Sequence, residues 1–358
     1  MSEQRTAGER RTALATVVAV VVIALVVVGL NLLDRSPAGP SREVTASPGA
    51  TTIPPSPGAG GYDDPEQYAA VTAAAPDELA QAALAERPEV APQPAGRRSR
   101  DLASAAERIA REGVSYSFTV MSFNILGSQH TVPGGSSPGY APGRVRAQAA
   151  AGLIAAAGAS IVGLQEVQAD QLAVLAEASG GTADFWPGTS LGGVGIPQSV
   201  MWDNRVWRPT YTGSVTVPFV GTTRPQPIVR LQHLETGREV YVINVHNSPN
   251  DRQAERDQAV AIEVAAIREL RKDGIPVLAV GDFNERDRTF CSLTGQTDLV
   301  ASNGGSNAGG SCRPPPAMRI DWIFASPDAQ LSEHLADDSS RVGAITDHAV
   351  ISAAVLVP

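Results

Sequence analysis

The sequence predicts an α/β fold built as a two-sheet sandwich over residues 101–358, and three observations predict it. Short apolar runs alternate with segments of helical periodicity, then give way to hairpins, and the order resumes after one long helix. Most of those runs end in an acid, an amide or an imidazole, a pattern expected where strand ends form a site rather than a turn. The stretch is also long enough to bury a core between two sheets.

The segments ahead of the domain read differently. Ala13 to Leu33 is almost uninterruptedly apolar, interrupted only by Thr16, Gly29 and Asn31. About 20 such residues span a bilayer. Arg5, Arg10 and Arg11 precede it and only Arg35 follows closely, so residues 1–12 are expected in the cytoplasm and 13–33 as a single-pass anchor in the lipid bilayer. A cleaved signal peptide is the alternative, with a shorter apolar region and a small-x-small site that does not follow directly here. Residues 34–100 are rich in Pro, Ala, Gly, Ser and Thr without sustained periodicity, and read as a linker in which Tyr68 to Ala85 forms at most a transient helix. Asp101 to Glu112 is a better helix candidate leading into the domain.

Within the domain, Phe118 to Asn124 and Ser160 to Glu166 read as strands, separated by a helix from Val145 to Ala157 that follows Pro142-Gly143. A second helix covers Gln168 to Ala178. Ile228 to Leu234 and Glu239 to Val245 flank Glu235-Thr-Gly-Arg, a hairpin pattern. Asp251 to Lys272 is a long amphipathic helix stopped by Asp273-Gly274. Ile275 to Val280 is a buried strand running into Gly281-Asp-Phe-Asn-Glu285. Arg319 to Phe324 and Ala349 to Val357 complete the set. Cys291 and Cys312 bracket a Gly/Ser/Asn-rich loop. In an oxidising compartment they are expected to pair, constraining the loop by roughly 3 kcal/mol, with two free thiols as the alternative.

The polar tips form a recognisable series. SFN at 122–124, LQEV at 164–167, NVHN at 244–247, GDFNE at 281–285, RIDWIF at 319–324 and TDH at 346–348 together resemble the endonuclease/exonuclease/phosphatase superfamily. Its members include pancreatic-type deoxyribonucleases, abasic-site endonucleases, neutral sphingomyelinases and inositol-polyphosphate phosphatases. The resemblance implies a four-layer sandwich, two mixed β-sheets packed face to face with helices outside, and a metal-dependent phosphoric ester hydrolase.

It also implies residue roles. Asn124, Glu166 and Asp347 are the expected ligands of Mg²⁺, with Mn²⁺ or Ca²⁺ able to substitute; a set of oxygen donors without a Cys/His cluster agrees with a hard ion. Asp282 is expected to orient or deprotonate the attacking water, and Asn284 to hold phosphate or water in line. His348, oriented by Asp321, and His246 are expected to contact the phosphate or move protons. Members of the superfamily differ over which group is acid and which is base. His130, His233 and His334 match no motif and read as loop or surface residues, and Arg144 and Arg146 as a solvated helix face.

The net charge of −9 argues against strong nonspecific nucleic-acid binding, which needs clustered cations, but a bound metal can supply local positive charge. The expectation is an extracytoplasmic, monomeric catalytic domain hydrolysing phosphodiesters, nucleic acid first. A phospholipid or sphingolipid phosphodiesterase and an inactive binding scaffold are the alternatives. Val215 to Val220 reads either as an ordinary strand or as an exposed hydrophobic hairpin of the sphingomyelinase kind.

Overall fold

In a computed structural model the described residues are 64–88 and 114–358. The expected N-terminal segment, the anchor at 13–33 and the helix from Asp101 to Glu112 lie outside them. Among the described residues no helix is long and apolar enough to cross a membrane.

Residues 114–358 form the expected pair of mixed sheets. The first contains β1 (Tyr116–Asn124), β2 (Ala159–Gln165), β3 (Ala183–Trp186), β4 (Val200–Asp203), β11 (Gln330–Asp337) and β12 (Val350–Val357), ordered β11-β12-β1-β2-β4-β3. The second contains β5 (Trp207–Phe219), β6 (Thr222–His233), β7 (Glu239–His246), β8 (Val277–Asp282), β9 (Val300–Ala301) and β10 (Asp321–Ala325), ordered β5-β6-β7-β8-β10-β9.

Successive residues of the central strands feed different cores. Val120 and Ile161 of the first sheet, and Val242 and Val280 of the second, belong to the core between the sheets. Their neighbours Met121 and Val162 face outward beneath helices, as do Ile243 and Ala279. Strands buried on both faces read as continuous apolar runs, which is why the sequence displayed them so clearly.

Each sheet holds one parallel pair joined by a helix. In the first, β1 and β2 are connected through α4 (Gly143–Ala157), which stops at Gly158 in the left-handed conformation. In the second, β7 and β8 are connected through α6 (Gln253–Arg271), with Glu255 in its first turn and Arg268 and Arg271 in its last, favouring the helix dipole. The parallel arrangement brings the C-terminal ends of β1 and β2 to one rim of their sheet, and those of β7 and β8 to one rim of theirs. Strand β10 runs antiparallel to β8 with Asp321 opposite Asp282, and β12 runs antiparallel to β1 with Ile351 opposite Ser122. The starts of β10 and β12 therefore join the same rims. The short α3 (Ser128–Thr131) and α5 (Ala169–Ala178) flank the first sheet, and α7 (Asp287–Gln296) the second.

Two features differ from the sequence reading. The expected linker contains a docked helical pair, α1 (Pro65–Ala73) and α2 (Pro76–Leu84), broken at Pro76. Val71, Ala80 and Leu84 are buried in the same cluster as Val215, Ile262 and Ile267, so this segment belongs to the domain. Val215 to Phe219 are the end of a long strand, and only Val220, in the turn that follows, is exposed, at 40%. The expected disulfide is present: Cys291 and Cys312 are bonded, with Cα atoms 5.6 Å apart.

Candidate active site

Three side chains from each sheet meet at the shared rim. Asn124, Glu166 and His348 come from the first sheet or its immediate flanks, and His246, Asp282 and Asp321 from the second. Gly281 permits this turn of chain. Its φ is +148° and a Cβ there would lie 2.0 Å from the Val245 carbonyl oxygen, so only glycine lets β8 pass β7 into Asp282.

Asn124 is fully buried between two carboxylates. Its Nδ2 donates to Glu166 Oε1 at 3.0 Å and to Asp282 Oδ2 at 3.1 Å, and lies 3.4 Å from His348 Nε2. Its oxygen accepts from the Leu126 N–H. The orientation thus differs from the one expected of a ligand: the amide nitrogen, not the oxygen, points at the acids.

Glu166 follows β2 with a φ of +62° and accepts from the Gly127 N–H at 3.1 Å. Burial opposes its charge, but contacts from His130, Asn124 and the Gly127 amide outweigh it and hold the carboxyl far below the ordinary range. His130 Nε2 lies 3.3 Å from Glu166 Oε2, and this carboxylate raises the imidazole above its ordinary value. The sequence reading of His130 as an ordinary loop residue is therefore corrected. No motif marks it, because α3 brings it in from a loop.

Asp282 is 1% exposed, and its Oδ1 accepts from the Asn284 N–H at 2.8 Å. Burial, then the nearby Asp321 charge, push its carboxyl up. Asn284 lies beyond the strand end in the left-handed conformation and donates to the Asn247 carbonyl at 2.9 Å, so the motif is also an Asx turn. His348 Nδ1 lies 3.1 and 3.0 Å from the two Asp321 oxygens. Burial opposes protonation, but this pairing and the charge of Asp282 push the imidazole up to about 10. His246 is its opposite. Burial and then the adjacent Arg224 cation push it down to about 3, keeping the ring neutral. Arg224 Nη1 sits 3.3 Å from His246 Nδ1, which assigns the His246 proton to Nε2, 3.7 Å from Asp282 Oδ2.

Asp347 is exposed and makes no side-chain hydrogen bond among the described residues, although its charge acts on His348 and His130. It is brought near the cluster but not into it. Arg146, expected on a solvated helix face, is 1% exposed and donates to the Ile125 and Ile345 carbonyls at 2.7 and 2.8 Å. It ties together the chain leaving β1 and the chain entering the Thr346–His348 turn. Arg144 is exposed, as expected. The cleft above these groups is 330 Å³, and Phe219, Val220 and Arg224 form one wall.

The donor set suits a hard cation, since it consists of carboxylate and amide groups with no thiol. Asp282, Asp321 and His348 offer ligand atoms within 4.8 Å of one another, but with His348 protonated only the two carboxylates of that trio remain donors. Glu166, held ionised, adds a third.

No curated protein matches the sequence. Among solved structures, an endonuclease/exonuclease/phosphatase family protein from Bacteroides thetaiotaomicron aligns with a TM-score of 0.55 at 18% identity, covering 68% of this chain and 99% of that one. A mannosyl-6-phosphatase from the same organism gives 0.52 at 18%, covering 66% and 98%. D. rerio TDP2 complexed with single-strand DNA product gives 0.51 at 16%, covering 67% and 98%. At these identities the likeness is one of fold. The family model described as Endonuclease/Exonuclease/phosphatase family matches residues 121–348, from the middle of β1 to His348, and the chain belongs to that family.

Proposed function

We propose that this chain is a metal-dependent phosphodiesterase whose catalytic domain works outside the cytoplasm, tethered through residues 13–33. One observation carries the catalytic reading: the buried Asp282 has the neutral His246 and the protonated His348, itself paired with Asp321, each within 4 Å of it, beside an ionised Glu166. These are the groups that ester hydrolysis at phosphorus needs. Asp282, its proton affinity raised by burial, takes a proton from the attacking water as the water oxygen bonds to phosphorus and the bond from phosphorus to the leaving oxygen breaks, that oxygen departing as an alcohol with a proton from solvent. The His348 imidazolium faces the charge that develops on the phosphoryl oxygens, and Asp321 keeps that ring oriented and protonated. The His246 Nε2–H, fixed by Arg224, donates to a nonbridging oxygen.

Glu166 would hold Mg²⁺, with Asn124 as a second donor after its amide rotates, and the ion would supply Lewis-acid charge to the phosphoryl and leaving oxygens. Nucleic acid is the first substrate class. The fold shared with TDP2, solved with a single-strand DNA product, supports that order. The test is cleavage of plasmid DNA and of bis(p-nitrophenyl) phosphate with Mg²⁺, with EDTA, and by the Asp282→Ala variant. Turnover that needs both the metal and Asp282 supports the reading. A folded protein inactive on both substrates defeats it.

A further inference from the structure

The helical pair ahead of the domain does more than cover an apolar face. One of its polar contacts reaches the β5–β6 hairpin, whose tip walls the cleft, and a second reaches the α6 carboxylate that holds that tip. Thr223 Oγ1 donates to Gln67 Oε1 at 2.9 Å, and the Tyr68 hydroxyl donates to Glu255 Oε1 at 3.2 Å. Glu255, 8% exposed on the first turn of α6, is the hub. It accepts from the Val220 N–H at 2.7 Å, the Gly221 N–H at 3.0 Å and Ser248 Oγ at 2.5 Å. The far end of the segment is fastened separately, with Arg87 Nε 3.0 Å from Asp273 Oδ2.

The tip held in this way is strained. Val220 has a φ of +52°, a conformation that a β-branched residue adopts only when its surroundings impose it. It also touches the chemistry. Phe219 packs edge-on against the His246 ring at 5.1 Å, and the Arg224 guanidinium lies 3.5 Å over the Phe219 face while reaching His246 Nδ1. Helices that merely covered the sheet would need only the buried Val71, Ala80 and Leu84. The two hydrogen bonds are additional: Gln67 holds the hairpin directly at Thr223, and Tyr68 holds the carboxylate that restrains its strained residue.

We propose that residues 64–88 are a working part of the active site: Gln67, Tyr68 and Glu255 are positioning residues that latch the Phe219–Arg224 tip, which forms the substrate-facing wall of the cleft. The wall rests on the phosphoesterase reading above; the latch does not. The test uses the full chain as wild type, the Gln67→Ala/Tyr68→Phe double variant and Glu255→Gln. Amide exchange at Val220 and Gly221 is expected to run roughly tenfold faster in both variants, with the central strands unchanged. On bis(p-nitrophenyl) phosphate with Mg²⁺, KM is expected to rise by about three- to tenfold while kcat stays within about twofold, a split that loss of general stability does not produce. Unchanged exchange at the tip overturns the latch. Faster exchange with unchanged KM overturns the wall. A wild-type chain that turns over no phosphodiester overturns the wall together with the phosphoesterase reading, and the exchange result still decides the latch.

Discussion

Replacing Asp321 by Asn isolates the strongest electrostatic pairing in the site. His348 is pushed from 6.5 to about 10, which corresponds to roughly 5 kcal/mol of preference for the imidazolium in the folded chain. Burial acts against that preference, so the hydrogen bond and charge of Asp321 must exceed it, with Asp282 and Asp347 adding less. The Asp321→Asn change keeps the shape and removes the charge, and His348 is expected to titrate within about one unit of its ordinary value. The sign of the stability effect follows. A folded-state value above the unfolded one gives stability fully present below pH 6.5 and lost as pH rises through about 10. The gap between wild type and variant in urea unfolding should therefore be about 3 kcal/mol at pH 6 and below about 1 kcal/mol at pH 10. Turnover at pH 7.5 should fall by about 10²- to 10⁴-fold. The assays are NMR titration of the His348 ring and denaturant midpoints at pH 6, 8 and 10. An imidazole still titrating near 10 in the variant, or a gap independent of pH, would refute the reasoning.

Mg²⁺ should raise the Tm of the wild type and leave that of Glu166→Gln unchanged, and the substitution should lower metal-dependent turnover by at least about a hundredfold; calorimetry with and without Mg²⁺ checks the first part. Replacing Cys291 and Cys312 by Ser should cost about 3 kcal/mol in urea unfolding, because the bond closes a loop across a sequence separation of 21. Glu263, fully buried on α6, is pushed up to about 7 by burial, against which the hydrogen bond it accepts from Gln226 at 3.0 Å acts. Wild type should lose stability as pH rises from about 4.5 to about 7 and little beyond, so Glu263→Gln should be nearly equal to wild type at pH 4 and more stable by about 3 kcal/mol at pH 8.5, read from urea midpoints. In Gly163→Ala the new Cβ would lie 2.6 Å from Val280 Cγ2 and 2.7 Å from Asn244 Oδ1. Turnover there should fall by about tenfold or more, a kinetic loss larger than the change in Tm alone accounts for.

The central strands were legible because both their faces are apolar and their ends are polar. The two long helices were legible because their punctuation is local, Pro142-Gly143 before the first and Asp273-Gly274 after the second. What escaped was structure defined by a partner. The β11 edge strand has no buried residue and lacks an apolar signal. Pro225 and Pro227 hide the first half of β6, and that half tolerates them because β7 pairs only from Ile228 onward. With the strand hidden, Arg224 carried no mark of a functional residue. Helices α1 and α2 are Ala-rich, and small side chains reveal a buried face only against the surface that buries them. The orientation of Asn124 was equally unreadable, since sequence names the amide but not which end meets the acids. Asp347 sits in a motif yet stays exposed, so neighbouring a functional residue in sequence was a weaker guide than a strand's alternation.

The division of the site between two sheets gives the packing of their interface a chemical consequence. Asn124 and Asp282 lie on different sheets yet share a hydrogen bond of 3.1 Å, so any slide of one sheet over the other breaks the cluster before it exposes much apolar surface. Apolar side chains alone define such a slide poorly, because dispersion contacts are not directional. Directional bonds lie below the site. Gln165 Nε2 donates to Asn244 Oδ1 at 2.7 Å, and Asn244 Nδ2 donates to the Leu164 carbonyl at 2.8 Å. Both side chains are fully buried, and a buried polar pair is costly to break, so it fixes the registry that the apolar core leaves loose. Gly163 allows the close approach those bonds require. Three residues of the strand β2, none of which faces the substrate, thereby set the distance between the halves of the site.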